Sequence, residues 1–258
     1  MNDIKAIGFD LFNTLITVEP QAFEQAVNVL SRSLLEEGLT VEPEAFRRAH
    51  RQAALQHIAE TRQDGRETHN RFWISSALQQ LGCAVEPDDP RIARTVEAYF
   101  GSFIEFCHLI PGTREMLETL NERYPLGLLS NFTHPSAAQN ILDNLGLRDC
   151  FEVVLISGEI GYRKPHASVF RLLVTKLGVA PAELLYIGDD PEPDIDGACK
   201  AGLQPVWTTY VRDRRLPLAP GMAVAQHDNP QCPAPRVSSW ADLLRLLALQ
   251  PGDDPSLP

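Results

Sequence analysis

Five short runs of this chain are almost continuously apolar: Ile4 to Phe9, Leu126 to Leu129, Phe151 to Ile156, Leu184 to Ile187 and Pro205 to Tyr210. A strand with one wet face alternates apolar and polar residues. A run without alternation needs cover on both faces, as in a parallel sheet between layers of helices. Helical patterns fill the intervals: Met116, Leu117 and Leu120 within Thr113 to Tyr124; Ala138, Ile141, Leu142 and Leu145 within Pro135 to Leu145; Val169, Leu172, Leu173 and Leu177 within Ser168 to Leu177. Gly146 and Gly178 stand where two of these helices should stop. The alternation predicts a doubly wound α/β fold with a Rossmann-like parallel sheet.

One long interval, between the first run and Pro111-Gly112, shows no strand pattern and several helices. Phe23, Ala26, Val27, Leu30 and Leu34 recur at helical spacing after Pro20, with Gly38 as a stop. Further helical stretches run around Phe46 to Ala59, Phe72 to Leu81 and Ile92 to Phe106, and Gly65 marks a loop. Residues 16–107 are therefore expected to form an inserted all-α, four-helix lid, leaving residues 1–15 and 108–249 as the core. The stretch after Tyr210 is rich in proline and polar residues and carries no evident chemistry. "SSWADLLRLLAL" reads as a capped helix and residues 250–258 as a disordered tail.

With 258 residues, 44% of them hydrophobic, the chain can bury a large core. A net charge of -11 and a pI near 5.1 argue against a nucleic-acid partner, which calls for clustered positive charge, so an anionic substrate must meet locally placed cations. No run approaches the roughly 18 apolar residues of a membrane span, and Asp3 and Lys5 sit where a signal peptide would begin. A cytoplasmic protein with no membrane partner is the expectation. Its five cysteines are scattered and form no CxxC pair, and its seven histidines form no HExxH. Reduced, buried thiols and no transition metal are expected.

Polar residues gather where the apolar runs end. The first run ends in Asp10, with Thr14 beyond; the second in Ser130-Asn131; the third leads through "SGEIGYRKP" to Lys164; the fourth ends in "GDDPEPD", with Asp189, Asp190 and Asp194. Singly, each has an ordinary explanation. A strand-end aspartate is most often a turn former or helix cap, Ser-Asn a cap, Lys164 a solvated loop residue, and the acidic run the cap of a helix over Ile195 to Ala201. Together they matter, because open α/β sheets bind ligands beyond the carboxyl ends of their strands.

In this order, "FDLFNTL", "LLSNF", "GYRKP" and "IGDDPEPDIDGACKAG" resemble the four motifs of the haloacid dehalogenase superfamily of hydrolases, and "IPGTREMLETL" resembles the segment that returns from its helical cap. The resemblance covers nearly all of the core. It implies that Asp10 is a nucleophile forming a covalent ester, which splits one displacement into two easier steps. It further implies that Lys164 neutralises substrate charge, and that Thr14, Ser130 and the backbone around Asn131 hold the non-bridging oxygens. Mg²⁺ would sit on Asp10, the backbone carbonyl of Phe12, Asp189 and Asp194, an all-oxygen set suited to a hard cation.

Phe12 departs from the pattern. Phosphatases of this superfamily usually carry a second aspartate there, and such an acid–base group is worth about 10²–10⁴-fold. Three readings follow. The first is a Mg²⁺-dependent phosphatase of a small phosphorylated metabolite that has a good leaving group or another proton source, with His134 and Glu19 as candidate donors and His134 otherwise a surface loop residue. The second is a metal-independent 2-haloacid dehalogenase. Its branch carries an aromatic residue at this position, but it lacks the acidic pair and has a tyrosine where this chain has Phe170. The third is a non-catalytic member that binds a metabolite or partner. The lysines are Lys5, Lys164, Lys176 and Lys200, so the lid offers none for Schiff-base phosphonate cleavage. Arg47, Arg48, Arg51, Arg62, Arg66 and Arg71 include potential anion binders there, and Trp73 and Phe72 read as lid core.

Overall fold

Burial of the apolar runs on both faces builds the sheet in the computed structural model, which describes residues 3–218 and 228–249. The first strand, β1 (Ala6–Phe9), is followed by a short strand β2 (Ile16–Val18) and four helices: α1 (Ala22–Glu36), α2 (Pro43–Glu60), α3 (Asn70–Gln80) and α4 (Pro90–Gly101). A second short strand, β3 (Cys107–Leu109), closes this section. Then come α5 (Thr113–Asn121), β4 (Leu126–Ser130), α6 (Pro135–Asn144), β5 (Val153–Ile156), α7 (Ser157–Ile160), α8 (Ala167–Leu177) and β6 (Leu184–Gly188). A π-helical turn over Pro191–Asp196 leads into α9 (Gly197–Lys200), β7 (Gln204–Thr208), α10 (Tyr210–Asp213), β8 (Arg236–Val237) and α11 (Trp240–Leu246).

Six strands form one parallel sheet in the order β5-β4-β1-β6-β7-β8. Ile7 of β1 faces Leu126 on one side and Leu185 on the other. Successive side chains point to opposite faces, so Ile7 and Phe9 join an apolar cluster with Leu117, Ile141 and Leu243, while Ala6 joins Leu129, Phe170 and Tyr186 on the other face. This is the predicted doubly wound α/β architecture. Strand order reverses at β1, between β4 and β6, which places the crevice at their carboxyl ends.

The four helices after β2 bury an apolar cluster of their own, including Leu30, Leu34, Phe46, Ile74, Leu78 and Ile92. Glu42 starts α2 by accepting from the N–H groups of Glu44 and Ala45 at 2.9 and 2.6 Å, and Asp89 starts α4 from Arg91 at 2.8 Å. Each cap precedes a proline whose missing N–H costs nothing there.

Three expectations need correction. The interval is not free of strands: β2 and β3 pair antiparallel, Ile16 opposite Leu109, at the base of the helices. Three-residue strands are too short to show a period. Second, Cys199 and Cys232 are joined in a disulfide rather than both reduced. They meet because Asp196 Oδ1 accepts from the N–H groups of Gln231 and Cys232, both at 2.8 Å, and straps that segment onto the start of α9. Third, the helix expected over Ile195 to Ala201 begins as the π turn. The capped terminal helix is present, with Ser239 Oγ accepting from Asp242 N–H at 3.2 Å. The tail of residues 250–258 lies outside the described residues. Among the described residues, no helix is long and apolar enough to cross a membrane.

Candidate active site

Four strand ends deliver the site. Past β1, the Asp10 N–H donates to Ile187 O at 2.9 Å, so Asp10 still follows the strand before the chain turns. Asn13 takes the left-handed conformation, φ 60°, that asparagine tolerates better than most residues, and its N–H donates to Ile16 O at 2.7 Å. Lys164 arrives from the loop after α7. Its backbone N–H donates to Asn131 Oδ1 at 2.8 Å while Asn131 Nδ2 donates back to its carbonyl at 3.0 Å. Asn131 therefore clamps the lysine loop to the end of β4.

The Lys164 ammonium donates to Asp10 Oδ1 at 2.6 Å, Asp194 Oδ1 at 2.7 Å and the Tyr186 hydroxyl at 3.0 Å. Tyr186 in turn donates to Leu129 O at 3.1 Å. Asp194 Oδ2 accepts from Asp190 N–H at 3.0 Å, and Asp189 is held by its carbonyl, which accepts from Trp207 Nε1 at 2.9 Å. Asp10, Asp189 and Asp194 each present a carboxylate oxygen, all within 4.8 Å of one another and all buried. Tight backbone packing makes this possible. A Cβ on Gly188 would stand 2.4 Å from the Asp194 side chain.

Crowding of like charges away from water sets the electrostatics. Burial pushes Asp10 up to about 6, against the pull of Lys164 and with the help of Asp194. Burial, then the Asp10 and Asp194 charges, hold Asp189 well above the usual carboxylate range. Burial and Asp194 bring Asp190 up to about 7. Burial opposes the Lys164 ammonium, but Asp10 and Asp194 outweigh it and keep Lys164 charged well beyond its ordinary range.

Thr14 and Ser130 are fully buried close by in sequence to these groups, outside the cavity's lining, and neither hydroxyl has a hydrogen-bond partner among the described residues. An unpaired buried hydroxyl costs about 1–3 kcal/mol, which marks both as unusual. The proposed proton donors fall elsewhere. Glu19 pairs with His108 at 2.6 Å on an exposed edge. His134 is not a surface residue: it is buried, caps α6 by accepting from Ala137 N–H at 3.2 Å, and contacts Glu97 at 3.0 Å.

A cavity of about 450 Å³ separates the inserted helices from the strand ends. Asp10, Lys164, Asp189 and Asp194 form its polar end, and Phe12, Phe132, Phe103, Phe100 and Trp73 much of its wall. Trp73 is thus both buried core and cavity lining. Of the six arginines singled out, Arg62 alone lines the cavity, and it bridges to Glu192 of the acidic turn at 2.8 Å. Sequence reasoning missed Glu67, Ser157, Arg163 and Tyr186. Ser157 Oγ accepts from Phe132 N–H at 2.8 Å and donates to Glu67 Oε2 at 2.5 Å, fixing the loop after β4 to the inserted helices. Arg163 donates to Ile58 O at 2.9 Å across the same gap. Arg163 beside the motif lysine and the lone hydroxyl within "LLYIG" were visible signals; Glu67 carried none.

A family model described as haloacid dehalogenase-like hydrolase matches residues 4–202. A phosphoserine phosphatase of Thermus thermophilus is 36% identical over 132 residues, 51% of this chain and 51% of that protein, so the match spans about half of that relative's length. A ribulose-1,5-bisphosphate 5-phosphatase of Halopiger xanaduensis is 30% identical over 203 residues, covering 78% of this chain and 83% of that protein. In fold, the chain is similar to a 2-haloacid dehalogenase of Pseudomonas syringae, with a TM-score of 0.69 at 22% identity, over 95% of this chain and 98% of the other.

Proposed function

The chain belongs to the haloacid dehalogenase-like hydrolases, and we propose that it is a Mg²⁺-dependent phosphatase of a small phosphorylated metabolite, working through an ester on Asp10. One observation carries this reading. Three buried carboxylates share the site, and among the described residues Lys164 is the cation paired with two of them, Asp10 and Asp194, so once all three are ionised, three negative charges less one positive leave a deficit of two. A divalent hard cation matches that deficit and that all-oxygen donor set. Asp10, Asp189, Asp194 and the Phe12 carbonyl would hold it, and it would supply Lewis-acid charge neutralisation at the phosphoryl oxygens.

The residues do the rest. Asp10 attacks phosphorus, and its burial beside Lys164 keeps the nucleophile desolvated and aimed. Lys164 balances the incoming phosphate and is itself aimed by Asn131 and Tyr186. Thr14 and Ser130 offer buried hydroxyls with no partner among the described residues, and in this reading they would bind phosphoryl oxygens. The aromatic wall and inserted helices exclude water during the first step. A second reading, halide displacement by Asp10 without metal, is favoured by Phe12 alone; it leaves the acidic pair of Asp189 and Asp194 without a cation to hold.

Phosphate release from an activated aryl phosphate should require Mg²⁺, stop in EDTA, and fall by at least about 10³-fold in Asp10→Asn, as expected when a nucleophile is removed. Halide release from 2-haloacids that persists in EDTA, with no phosphate release, would replace the first reading by the second. Neither activity would leave a binding protein.

A further inference from the structure

Two separate features of the cavity bear on the substrate's other half, the alcohol. The first is the wall. Phe12 stacks on Phe132, ring centres 5.1 Å apart and planes 26° apart, and lies 6.2 Å from Phe103; Phe132 meets Phe100 edge-on at 5.3 Å. With Trp73 and Ile58 these rings line the cavity beyond the carboxylates. Apart from Asp190, whose Oδ1 has no partner among the described residues, polar groups of the same cavity beyond the acidic trio are engaged with one another. Thr133 Oγ1 donates to Asn70 Oδ1, Glu67 accepts from Ser157 and from Thr68 N–H at 2.8 Å, Arg163 donates to Ile58 O, and Arg62 holds Glu192. A sugar or polyol entering here exchanges water for apolar surface and loses its hydrogen bonds. A flat ring gains edge and face contacts.

The second feature is the proton. Residue 12, where the superfamily resemblance implies an acid for the departing oxygen, carries a phenyl ring. Glu67 and Glu192 also line the cavity, but their carboxylates are committed as above; Asp190, whose Oδ1 has no partner among the described residues, is the one lining carboxyl outside the acidic trio left to compete as an acid. A leaving alcohol that departs unprotonated must be acidic. A phenol, with an ordinary pKa of about 10, meets that condition far better than an alkanol.

Resting on the phosphatase reading, we infer that the substrate is an aryl phosphate, the phosphomonoester of an apolar phenol. Phe12 serves both features at once, withholding the proton and supplying the central ring of the wall. An Asp10 carboxylate oxygen bonds to phosphorus as the P–O(aryl) bond breaks, and that electron pair leaves as the phenolate, which takes its proton from solvent. Water then attacks phosphorus, the P–O(Asp10) bond breaks and returns its pair to the carboxylate, and the water's proton leaves with inorganic phosphate or to solvent.

Phenyl phosphate, cyclohexyl phosphate and a hexose phosphate separate the possibilities, because the first two match in shape and differ in leaving group. With Mg²⁺ present, kcat/KM for phenyl should exceed that for cyclohexyl phosphate by at least about 10²-fold, the contribution of a missing acid to the leaving-group step. The KM values of these two should be similar and that of the hexose phosphate higher. In folded Phe12→Asp the phenyl-to-cyclohexyl ratio should shrink at least tenfold. Ile58→Asn should raise KM for phenyl phosphate on the order of tenfold, as for other losses in an apolar pocket. Equal kcat/KM for phenyl and cyclohexyl esters would show that another acid, Asp190 first, protonates the oxygen, and would overturn the inference. So would an unchanged ratio in Phe12→Asp, or a hexose phosphate preferred over phenyl. No phosphate from any ester, with halide released in EDTA, would instead remove the phosphatase reading beneath it.

Discussion

Asp10 and Asp190 keep their protons to about pH 6 and about pH 7, whereas an unfolded aspartate loses its proton near 4. The sign of the consequence follows from linkage. The folded state binds these protons more tightly than the unfolded chain, so the stability they contribute is fully present below about pH 4 and is lost as pH rises through 6 and 7. A bound divalent cation requires ionised carboxylates, and its stabilisation should grow over the same interval. Thermal melts from pH 4 to 8 should therefore show a metal-free midpoint that loses this contribution with pH, and a Mg²⁺-induced rise that widens. Asp10→Asn should flatten both trends. A Mg²⁺ effect that is constant across the range would contradict the assignment of the acidic trio as the cation's ligands.

Between β6 and α9 the chain doubles back tightly enough for the Asp194 side chain to occupy the space where residue 188 would carry a Cβ. Gly188→Ala should therefore push Asp194 off its position and away from Lys164. Expected outcomes are a loss of at least about tenfold in Mg²⁺ affinity by calorimetry and an overpacking cost of about 1–3 kcal/mol, with the sheet's circular dichroism retained. Unchanged Mg²⁺ binding would mean that Asp194 does not ligate. Legibility in the sequence followed the same element scale. Five of the six sheet strands bury an apolar run, and the longer helices between them a periodic pattern, long enough to be read. β2, β3 and β8 span two or three residues and showed nothing. Asp10, Asn131, Lys164 and the acidic run were readable because each lies inside a local motif. The Glu67–Ser157 contact joins residues 90 positions apart, and no local pattern encodes it.

At the scale of the molecule, the disulfide between Cys199 and Cys232 ties the segment before β8 to the helix after the acidic turn. Titration of the denatured, unreduced protein should find three free thiols, those of Cys83, Cys107 and Cys150, rather than five. Closing a loop of 33 residues is worth about 3–4 kcal/mol in the chain-entropy treatment, so reductant should lower the melting temperature by several degrees. Five free thiols would return all the cysteines to the reduced state a cytoplasmic protein favours. The pairing of β2 with β3 has a different consequence. Because Ile16 and Leu109 are cross-strand partners, the chain leaves the sheet and comes back at adjoining points. Loop-closure entropy grows only as the logarithm of length, so the sheet experiences everything between those points much as it would a hairpin turn. The helices that wall the chamber are in that sense a cassette: a change in the side chains they present to the cavity leaves the register of the sheet beneath untouched.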